Sequence, residues 1–254
     1  VSREYDCGDA AGSTWLRADP ALMQADMTTG RLMAHGNLEL TAVDVESLLR
    51  PLKPLFGDEG FPISPGTRSP EAGNRWYLQL PFEAELPDFV SPGQALGADL
   101  GDCLPAGDSG RRWRRLFSEA QIVLHNHELN ARRREAGLSP VNGLWFWGGG
   151  HLPDNVTFAQ ANVVSTDLPL QMLLALSAQS GRSIEDFEAA IVAGPISGDW
   201  LLDLRQRRDA AKVVEAALDV VCRHLADGAV CFDFADGHVV NWRRVHRWRF
   251  WRRG

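Results

Sequence analysis

The feature that most constrains the fold is a long helical stretch followed by a tight turn and an apolar strand. From about Ser109 to Ala136, one set of side chains recurs at helical spacing and shares a face. That set is Trp113, Leu116, Phe117, Ala120, Leu124 and His127. Gly137 and Pro140 are typical of a helix end. The apolar run Val141–Trp147 then predicts a buried strand, which Gly148-Gly149-Gly150 breaks.

The first eighty residues predict a strand-rich start with one helix. Two strands, over residues 14–27 and 31–40, flank the turn Thr28-Thr29-Gly30. Thr41 is a good N-cap, with Asp44 three residues later and apolar side chains at helical spacing beyond it. Residues 75–80 alternate as a strand.

The remaining segments alternate between loop, strand and helix patterns. The predicted elements are a loop over 81–110, a strand over 155–164, helices over 168–179, 183–193 and 209–226, and a hairpin of strands 230–234 and 238–242 around Asp236-Gly237.

These elements predict an α/β fold, with a mixed α+β arrangement as the alternative. We expect a single compact domain over residues 1–254, with a central mixed sheet flanked by helices. Its parts are a strand-rich segment 1–80, the loop 81–110, a helix–strand core 111–200 and a C-terminal segment 201–254 holding a helix, a hairpin and a basic aromatic tail.

The composition predicts a cytoplasmic protein. The apolar fraction of 44% can form a sizeable core, and no apolar run reaches the ~18–20 residues of a membrane-spanning helix. Residues 1–10 show no signal-peptide pattern. The four cysteines are widely separated, without a C-x-x-C pair, and are therefore read as reduced thiols.

The charge distribution argues against general nucleic-acid binding. The net charge is −7, and six arginines lie in the last thirteen residues. Without that tail, 20 basic residues face 33 acidic ones. Tryptophan and arginine alternate in the tail, which is typical of a single-stranded nucleic-acid platform. The favoured alternative is a terminal segment whose indoles are buried and whose arginines contact acidic groups of the same chain.

The densest polar segment is Leu124–Pro153. His125 and His127 are two residues apart on a predicted helix, so they point in different directions and do not suit one metal ion. His127 and Asn130 share a face. Two interpretations stay open for them: they hydrogen-bond the adjacent loop, or they form a polar pocket for a small anion.

The three glycines after the strand are a weak phosphate-loop signal. No G-K-[ST] follows them, and Pro153 argues against an immediate helix. The fingerprints G-x-S-x-G, H-E-x-x-H and G-x-G-x-x-G are absent from the sequence.

Over residues 118–182 the chain resembles the archaeal-type cofactor-independent phosphoglycerate mutases. The matching positions are His127, Asn130, Arg133, Gly137, Pro140, Asn142, Gly148 and Gly150. A resemblance over more of the chain is to the bacterial RpfE-type regulatory proteins. It lies in the segments ADPALMQAD (18–26), NRWYLQL (74–80), VNGLWFWGGG (141–150) and WRFWRR (248–253).

The departures from the mutase pattern bear on catalysis. The resemblance implies a Ser or Thr nucleophile and two metal ions, held by aspartate-rich and histidine-rich motifs. Gly101-Asp102 lacks the flanking pattern of the first motif, and no Asp cluster accompanies the late histidines. Trp147 stands where the mutases have an arginine. The shared part is therefore similar to a substrate-facing domain without its metal site.

The sequence thus favours a non-catalytic regulatory or ligand-binding protein of the RpfE type. The alternatives are a metal-dependent phosphoglycerate-mutase-like isomerase and nucleic-acid binding through the tail. No catalytic residue, metal or cofactor is assigned, and the expected partner is a small anion or a protein. Helix and turn geometry should bring the polar residues together near the glycines. The predicted ligand-binding residues are His127, Asn130, Arg133, Asn142, Trp147, Gly148, Gly149 and Gly150.

Overall fold

In the computed structural model the chain forms two compact units, Val1–Asp154 and Asn155–Gly254. The residues described are 1–25, 30–36, 38–160, 162–177, 179–193, 198–205, 207–215, 218, 229–234 and 237–243. The sequence predicts one domain; the structure divides because each unit has its own cluster of buried apolar side chains. The stretch 151–160 between them has no helix or strand. The tail from residue 244 onward lies outside the described residues, and so does the prediction made for it.

The first unit combines one sheet with helices packed on it, which confirms the mixed α/β class. Its helices are α1 (Ser2–Cys7), α2 (Ala42–Asp58), α3 (Pro92–Ala95), α4 (Leu100–Cys103), α5 (Gly107–His125) and α6 (Leu129–Glu135). Its strands are β1 (Thr14–Ala25), β2 (Gly30–His35), β3 (Ile63–Pro65), β4 (Trp76–Leu80) and β5 (Gly143–Gly150).

The sheet is built around the long strand β1. The first part of β1 pairs with β4, its last part pairs with β2, and its other edge pairs with β5. β3 pairs with β4, and every pairing described in this sheet is antiparallel. Residues 14–21 of β1 are all buried, so both faces of the strand are covered.

The two long helices follow from local sequence rules. Thr41 and Asp44 form a reciprocal capping box that starts α2, as the sequence predicts. The predicted apolar stripe of α5 is buried and packs on β5. Trp113 lies edge-on to Phe146, with ring centroids 5.6 Å apart, and Phe117 contacts Trp145 in the same way at 6.2 Å.

Three element boundaries differ from the prediction. The helix predicted over 109–136 breaks into α5 and α6, because Asn130 turns its side chain back to the carbonyl of Leu124. The three glycines continue β5 instead of ending it, because Gly150 still pairs with Trp15 of β1. The predicted loop 81–110 contains α3, α4 and the start of α5.

A buried polar network anchors α1 to the sheet. The carboxylate of Asp6 is 1% exposed and accepts two hydrogen bonds from Arg75, at 2.6 and 2.5 Å, and one from the hydroxyl of Tyr77. Burial raises the pKa of Tyr77, which keeps the phenol protonated as a donor. The guanidinium of Arg3 lies over the ring of Trp15, 4.2 Å from its centroid. The Asp6 carboxylate thus receives hydrogen bonds from protein donors in place of water.

The second unit is smaller. It contains α7 (Leu168–Leu176) and α8 (Ile184–Ala193), the parallel pair β6 (Asn162–Val164) and β7 (Trp200–Leu202), and the antiparallel pair β8 (Ala229–Asp233) and β9 (Val239–Arg243). The last pair matches the predicted hairpin. The predicted strand 155–164 is confined to β6, and most of the predicted helix 209–226 lies outside the described residues, although 210–215 are helical. Within the described ranges, no helix has both the length and the apolar character needed to cross a membrane.

Replacing Asp6 with alanine should destabilise the protein by about 3–5 kcal/mol, because it leaves the Arg75 guanidinium and the Tyr77 hydroxyl without their buried acceptor. Urea unfolding followed by circular dichroism measures the change. Asp108→Ala is the matched control, since its ion pair with Arg111 is exposed and should add little. Equal effects of the two variants would contradict the anchoring role of Asp6.

The lowered pKa of Asp203 predicts that the second unit loses stability in acid. Hydrogen bonds from Arg205 and Ser165 lower the pKa of Asp203 from 3.8 to about 2. A lowered pKa means that the stabilisation is present above pH 3.8 and is lost as the pH falls through about 2. Asp203→Asn should therefore flatten the fall in unfolding free energy over this range. Urea titrations at several acid pH values test this, and parallel curves for wild type and Asp203→Asn would contradict it.

Candidate functional site

Asn130 joins the end of α5 to the start of β5. Its side-chain amide donates to the carbonyls of Leu124 and Val141 at 2.7 and 2.8 Å, and its oxygen accepts from the backbone N–H of Val141 at 2.8 Å. Asn130 is 1% exposed. The side chain thus satisfies the buried N–H and C=O of Val141, and it adds a second donor to the carbonyl of Leu124, which also accepts from the N–H of His127.

His127 is also committed to the backbone. The N–H of Leu129 donates to its Nδ1 at 3.2 Å, so this nitrogen carries no proton. Its Nε2 is therefore the donor to the carbonyl of Ser47, at 3.1 Å. Both ring nitrogens are used, and the ring ties the α5–α6 corner to α2.

Arg133 is a buried cation with backbone partners. It is 3% exposed and donates to the carbonyls of Ser139, at 2.9 Å, and of Leu38 and Glu39. The carboxylate of Asp44 lies 3.8 Å away. These acceptors occupy the guanidinium, so it is not presented to an outside anion.

Asn142 clamps β5 to β1 at an irregular point in the ladder. Its oxygen accepts from the N–H of Met23 and its amide donates to the carbonyl of the same residue, both at 2.7 Å. The register of β1 against β2 shifts between Leu22 and Met23. The amide of Asn142 therefore replaces a backbone partner at the bulge.

The predicted pocket is divided between the two ends of β5. Asn142 lies beside the first residue of the strand, and Gly148–Gly150 end it. Six residues of extended strand separate Asn142 from Gly148 by about 20 Å. Since His127, Asn130 and Arg133 lie with Asn142 at the amino end, the expected convergence of these four on the glycines is not found.

Near the carboxyl end of β5, the neighbouring strand β1 contributes an ion pair that the sequence patterns did not indicate. Arg17 donates to both carboxylate oxygens of Asp19 at 2.7–3.0 Å, and the indole N–H of Trp147 donates to the same carboxylate at 2.7 Å. The guanidinium of Arg17 lies 4.8 Å from the ring centroid of Trp147. Its Nη1 has no hydrogen-bond partner in the described part of the chain. The signal in the sequence is a pair of opposite charges two residues apart in a strand that is otherwise largely apolar.

His35 lies beside this pair on β2, with its Cα opposite Ala21. Its Nδ1 is buried, and no described residue hydrogen-bonds to it. Burial lowers the pKa of His35, and the charges of Asp19 and Arg17 act on it in opposite directions. The imidazole is therefore a neutral polar group at neutral pH.

Beyond Trp147 the chain is open to solvent. Gly148, Gly149 and Gly150 are exposed, and Gly148 and Gly150 have φ values of 61° and 144°, which only glycine adopts readily. A Cβ at Gly148 would lie 3.6 Å from Cγ of Arg17, so the backbone passes close over that side chain. His151 follows, also exposed. We call Arg17, Asp19, Trp147 and Gly148–Gly150 the carboxyl-end cluster.

The part of the chain that the structure describes does not supply a metal centre. Among the described residues, no three His, Cys, Asp or Glu side chains are placed to hold an ion together. A two-metal site would need two such sets. What the carboxyl-end cluster offers is the guanidinium of Arg17, whose side chain is 8% exposed and whose Nη1 is not hydrogen-bonded by any described residue, beside exposed glycine backbone; these groups suit a small polar anion.

Comparison with known proteins points to one kind of enzyme. The chain is 36% identical over 69 residues to a probable 2,3-bisphosphoglycerate-independent phosphoglycerate mutase of Geobacter sulfurreducens, covering 27% of this chain and 17% of that protein. It is 26% identical over 152 residues to the 2,3-bisphosphoglycerate-independent phosphoglycerate mutase of Methanosarcina barkeri, covering 57% of this chain and 36% of that protein. A solved cofactor-independent phosphoglycerate mutase from Thermoplasma acidophilum is similar with a TM-score of 0.38 and 18% identity, over 91% of this chain and 67% of that chain.

These likenesses are partial. The chain spans between 17% and 36% of the length of the two curated relatives. No protein-family model matches the chain. The resemblance to RpfE-type proteins therefore stays a prediction, and so does the cytoplasmic location.

The prediction of a non-catalytic regulatory protein is wrong on these findings. The matched relatives are named as mutases, and one match extends over 57% of the chain. The departures at Trp147 and Gly101-Asp102 outweighed the shared motif in that prediction, although they concern individual metal- and anion-binding groups and leave the other matching residues of the segment in place. The mutase-like alternative is the better supported one.

The hydrogen bonds of Asn130 predict that its side chain contributes to the free energy of unfolding. Asn130→Ala should lower the unfolding free energy by about 2–4 kcal/mol, because it leaves the buried N–H and C=O of Val141 without their partner. The control is Asn126→Ala, whose exposed amide bonds only the carbonyl of Ile122 and should cost about 0.5 kcal/mol or less. Thermal and urea unfolding compare the two. Similar stability of both variants would contradict the clamp assigned to Asn130.

Proposed function

We propose that this chain takes part in the interconversion of 3- and 2-phosphoglycerate, and that its share is binding the phosphorylated hydroxy acid. The observation that carries the proposal is the 36% identity over 69 residues to the Geobacter sulfurreducens mutase. The longer match to the Methanosarcina barkeri enzyme supports the same substrate class.

The carboxyl-end cluster is the part of the described structure best suited to such a ligand. Arg17 keeps its Nη1 edge unused, and Gly148–Gly150 expose backbone beside it. A phosphate or carboxylate oxygen can accept hydrogen bonds from both. Asp19 orients the guanidinium and neutralises part of its charge, so we expect moderate affinity. Trp147, which replaces the arginine of the mutase motif, carries the cation of β1 against its ring.

The amino-end residues support this site indirectly. Asn130 and Asn142 hold both sides of the β5 start, and β5 in turn positions the glycines about 20 Å further along. The residues that match the mutase motif thus divide into a structural group and a ligand-facing group. The resemblance also implies two metal ions, but the described residues do not supply their ligands, and we derive no step through them.

Calorimetric titration with 3-phosphoglycerate tests the proposal. We expect saturable binding that is weaker for glycerate, which lacks the phosphate. Absence of binding of either phosphoglycerate isomer contradicts the proposal. Conversion to 2-phosphoglycerate, followed by phosphorus NMR with added Mn²⁺, would in addition place metal ligands among residues outside the described ranges.

Arg17→Lys isolates the contribution of the guanidinium edge. The variant keeps a positive charge opposite the buried Asp19 but loses Nη1, so we expect the affinity for 3-phosphoglycerate to fall about ten- to a hundredfold. Arg111→Lys, on an exposed arginine of α5, is the matched control and should bind like the wild type. Circular dichroism confirms that each variant is folded. Unchanged affinity in folded Arg17→Lys would remove Arg17 from the site.

A further inference from the structure

His35 lies next to the ion pair of Arg17 and Asp19, on the same face of the sheet. Its Cα is opposite Ala21 in the antiparallel pairing of β2 with β1, and Ala21 and Asp19, two residues apart in β1, project to the same side. Diagonal neighbours across such a pairing, as His35 and Asp19 are, come within reach of each other when one side chain is aromatic or long. The charges of Asp19 and Arg17 both act on the imidazole. The three side chains therefore form one local group.

The carboxylate of Asp19 has no acceptor position to spare. Its Oδ1 accepts from Nε and Nη2 of Arg17 at 3.0 and 2.7 Å, and its Oδ2 accepts from Nη2 of Arg17 at 2.8 Å and from the indole N–H of Trp147 at 2.7 Å. Two contacts at each oxygen use both of its lone pairs. Asp19 is 0% exposed, so water does not reach it either. A further donor can bind Asp19 only by displacing one of these contacts.

Nδ1 of His35 is the unpaired polar atom of this group. It is buried, and no described residue hydrogen-bonds to it. A buried polar atom without a partner costs stability, so a second arrangement that supplies a partner is favoured by that amount. Protonation makes both ring nitrogens donors. The residue as a whole is half-buried, which lets the ring exchange a proton with solvent.

We propose that His35 is a positioning residue that couples proton uptake to anion binding at Arg17. The ring takes a proton from solvent, and its Nδ1–H then donates to Asp19 in place of Nη2 of Arg17. The freed Nη2 joins Nη1 as a two-nitrogen edge, which binds a phosphate or carboxylate in bidentate geometry. This inference rests on the proposed function and adds control by pH to the same site.

The charges around His35 link its protonation to the ligand. Burial lowers the pKa of His35, Asp19 raises it and Arg17 lowers it. A bound anion adds negative charge beside Arg17, which should raise the pKa of His35. Arg31, the other charged residue of β2, donates to a backbone carbonyl, and the β5 residues that pair with this part of β1, Gly143–Trp147, carry no charge. Within the described part of the chain, Asp19 and Arg17 are thus the charged groups that act on His35.

Proton NMR measures the protonation of His35 directly. The ring signal of His35 is assigned by its loss in His35→Gln, and the pKa is measured with and without saturating 3-phosphoglycerate. We expect the ligand to raise the pKa of His35 by about one unit, which corresponds to about tenfold tighter binding to the protonated form. The same pKa in the free and the saturated protein would overturn the proposal.

Calorimetry at about pH 5 and about pH 8 measures the same coupling from the ligand side. The ratio of the wild-type affinity to the His35→Gln affinity should be about five- to tenfold higher at the lower pH. The phosphate of the ligand also titrates in this range, but it does so for both proteins and cancels in the ratio. His125→Gln, at an exposed histidine of α5, is the matched control and should follow the wild type. Circular dichroism confirms that each variant is folded.

The outcomes separate this inference from the proposed function. If 3-phosphoglycerate binds to the folded wild type and the ratio is the same at both pH values, the role of His35 is wrong and the proposed function stands. If the folded wild type binds no 3-phosphoglycerate at either pH, the proposed function is overturned and the inference with it. A ratio that rises in acid for His35→Gln, while His125→Gln follows the wild type, supports both.

Discussion

The pairing of β1 along both of its edges is the constraint on which the first unit depends. β4 and β2 share one edge of β1, and β5 occupies the other. Because β1 is buried on both faces, the charges of Arg17 and Asp19 must satisfy each other inside the sheet. A buried ion pair often stabilises a fold no more than apolar residues of the same volume. The place of this pair is therefore better explained by its position beside the exposed end of β5 than by stability.

The parts of the fold that the sequence predicted are those determined locally. Thr41 and Asp44 form their capping box within four residues, and the stripe of α5 repeats at helical spacing. The break between α5 and α6 could not be predicted from local patterns, because the side chain of Asn130 hydrogen-bonds to the backbone of Val141, which lies beyond the helix. The same holds for Gly148–Gly150, where pairing with β1 overrides the usual effect of glycine on a strand.

The candidate site was predictable only in its β5 part. Trp147 and the glycines stand in a recognisable motif, but Asp19, which binds the Trp147 indole, lies 128 residues away in sequence. The loss of the mutase arginine at Trp147 indicated a missing cation, whereas in the fold the guanidinium of Arg17 from β1 lies against the Trp147 ring. Motif comparison along one segment cannot detect a contact made by a strand distant in sequence.

The long sequence separation between β1 and β5 also has a consequence for synthesis of the chain. β1 is synthesised before β5, its partner over Trp15–Ala21, and more than a hundred residues separate the two strands. At about 5–20 residues per second, that edge waits on the order of ten seconds on the ribosome before β5 emerges. During this time the backbone N–H and C=O groups of an apolar strand are open to pairing with other chains. The nascent protein is thus most vulnerable to aggregation before the candidate site exists, and completion of β5 closes the sheet and creates the site in one step.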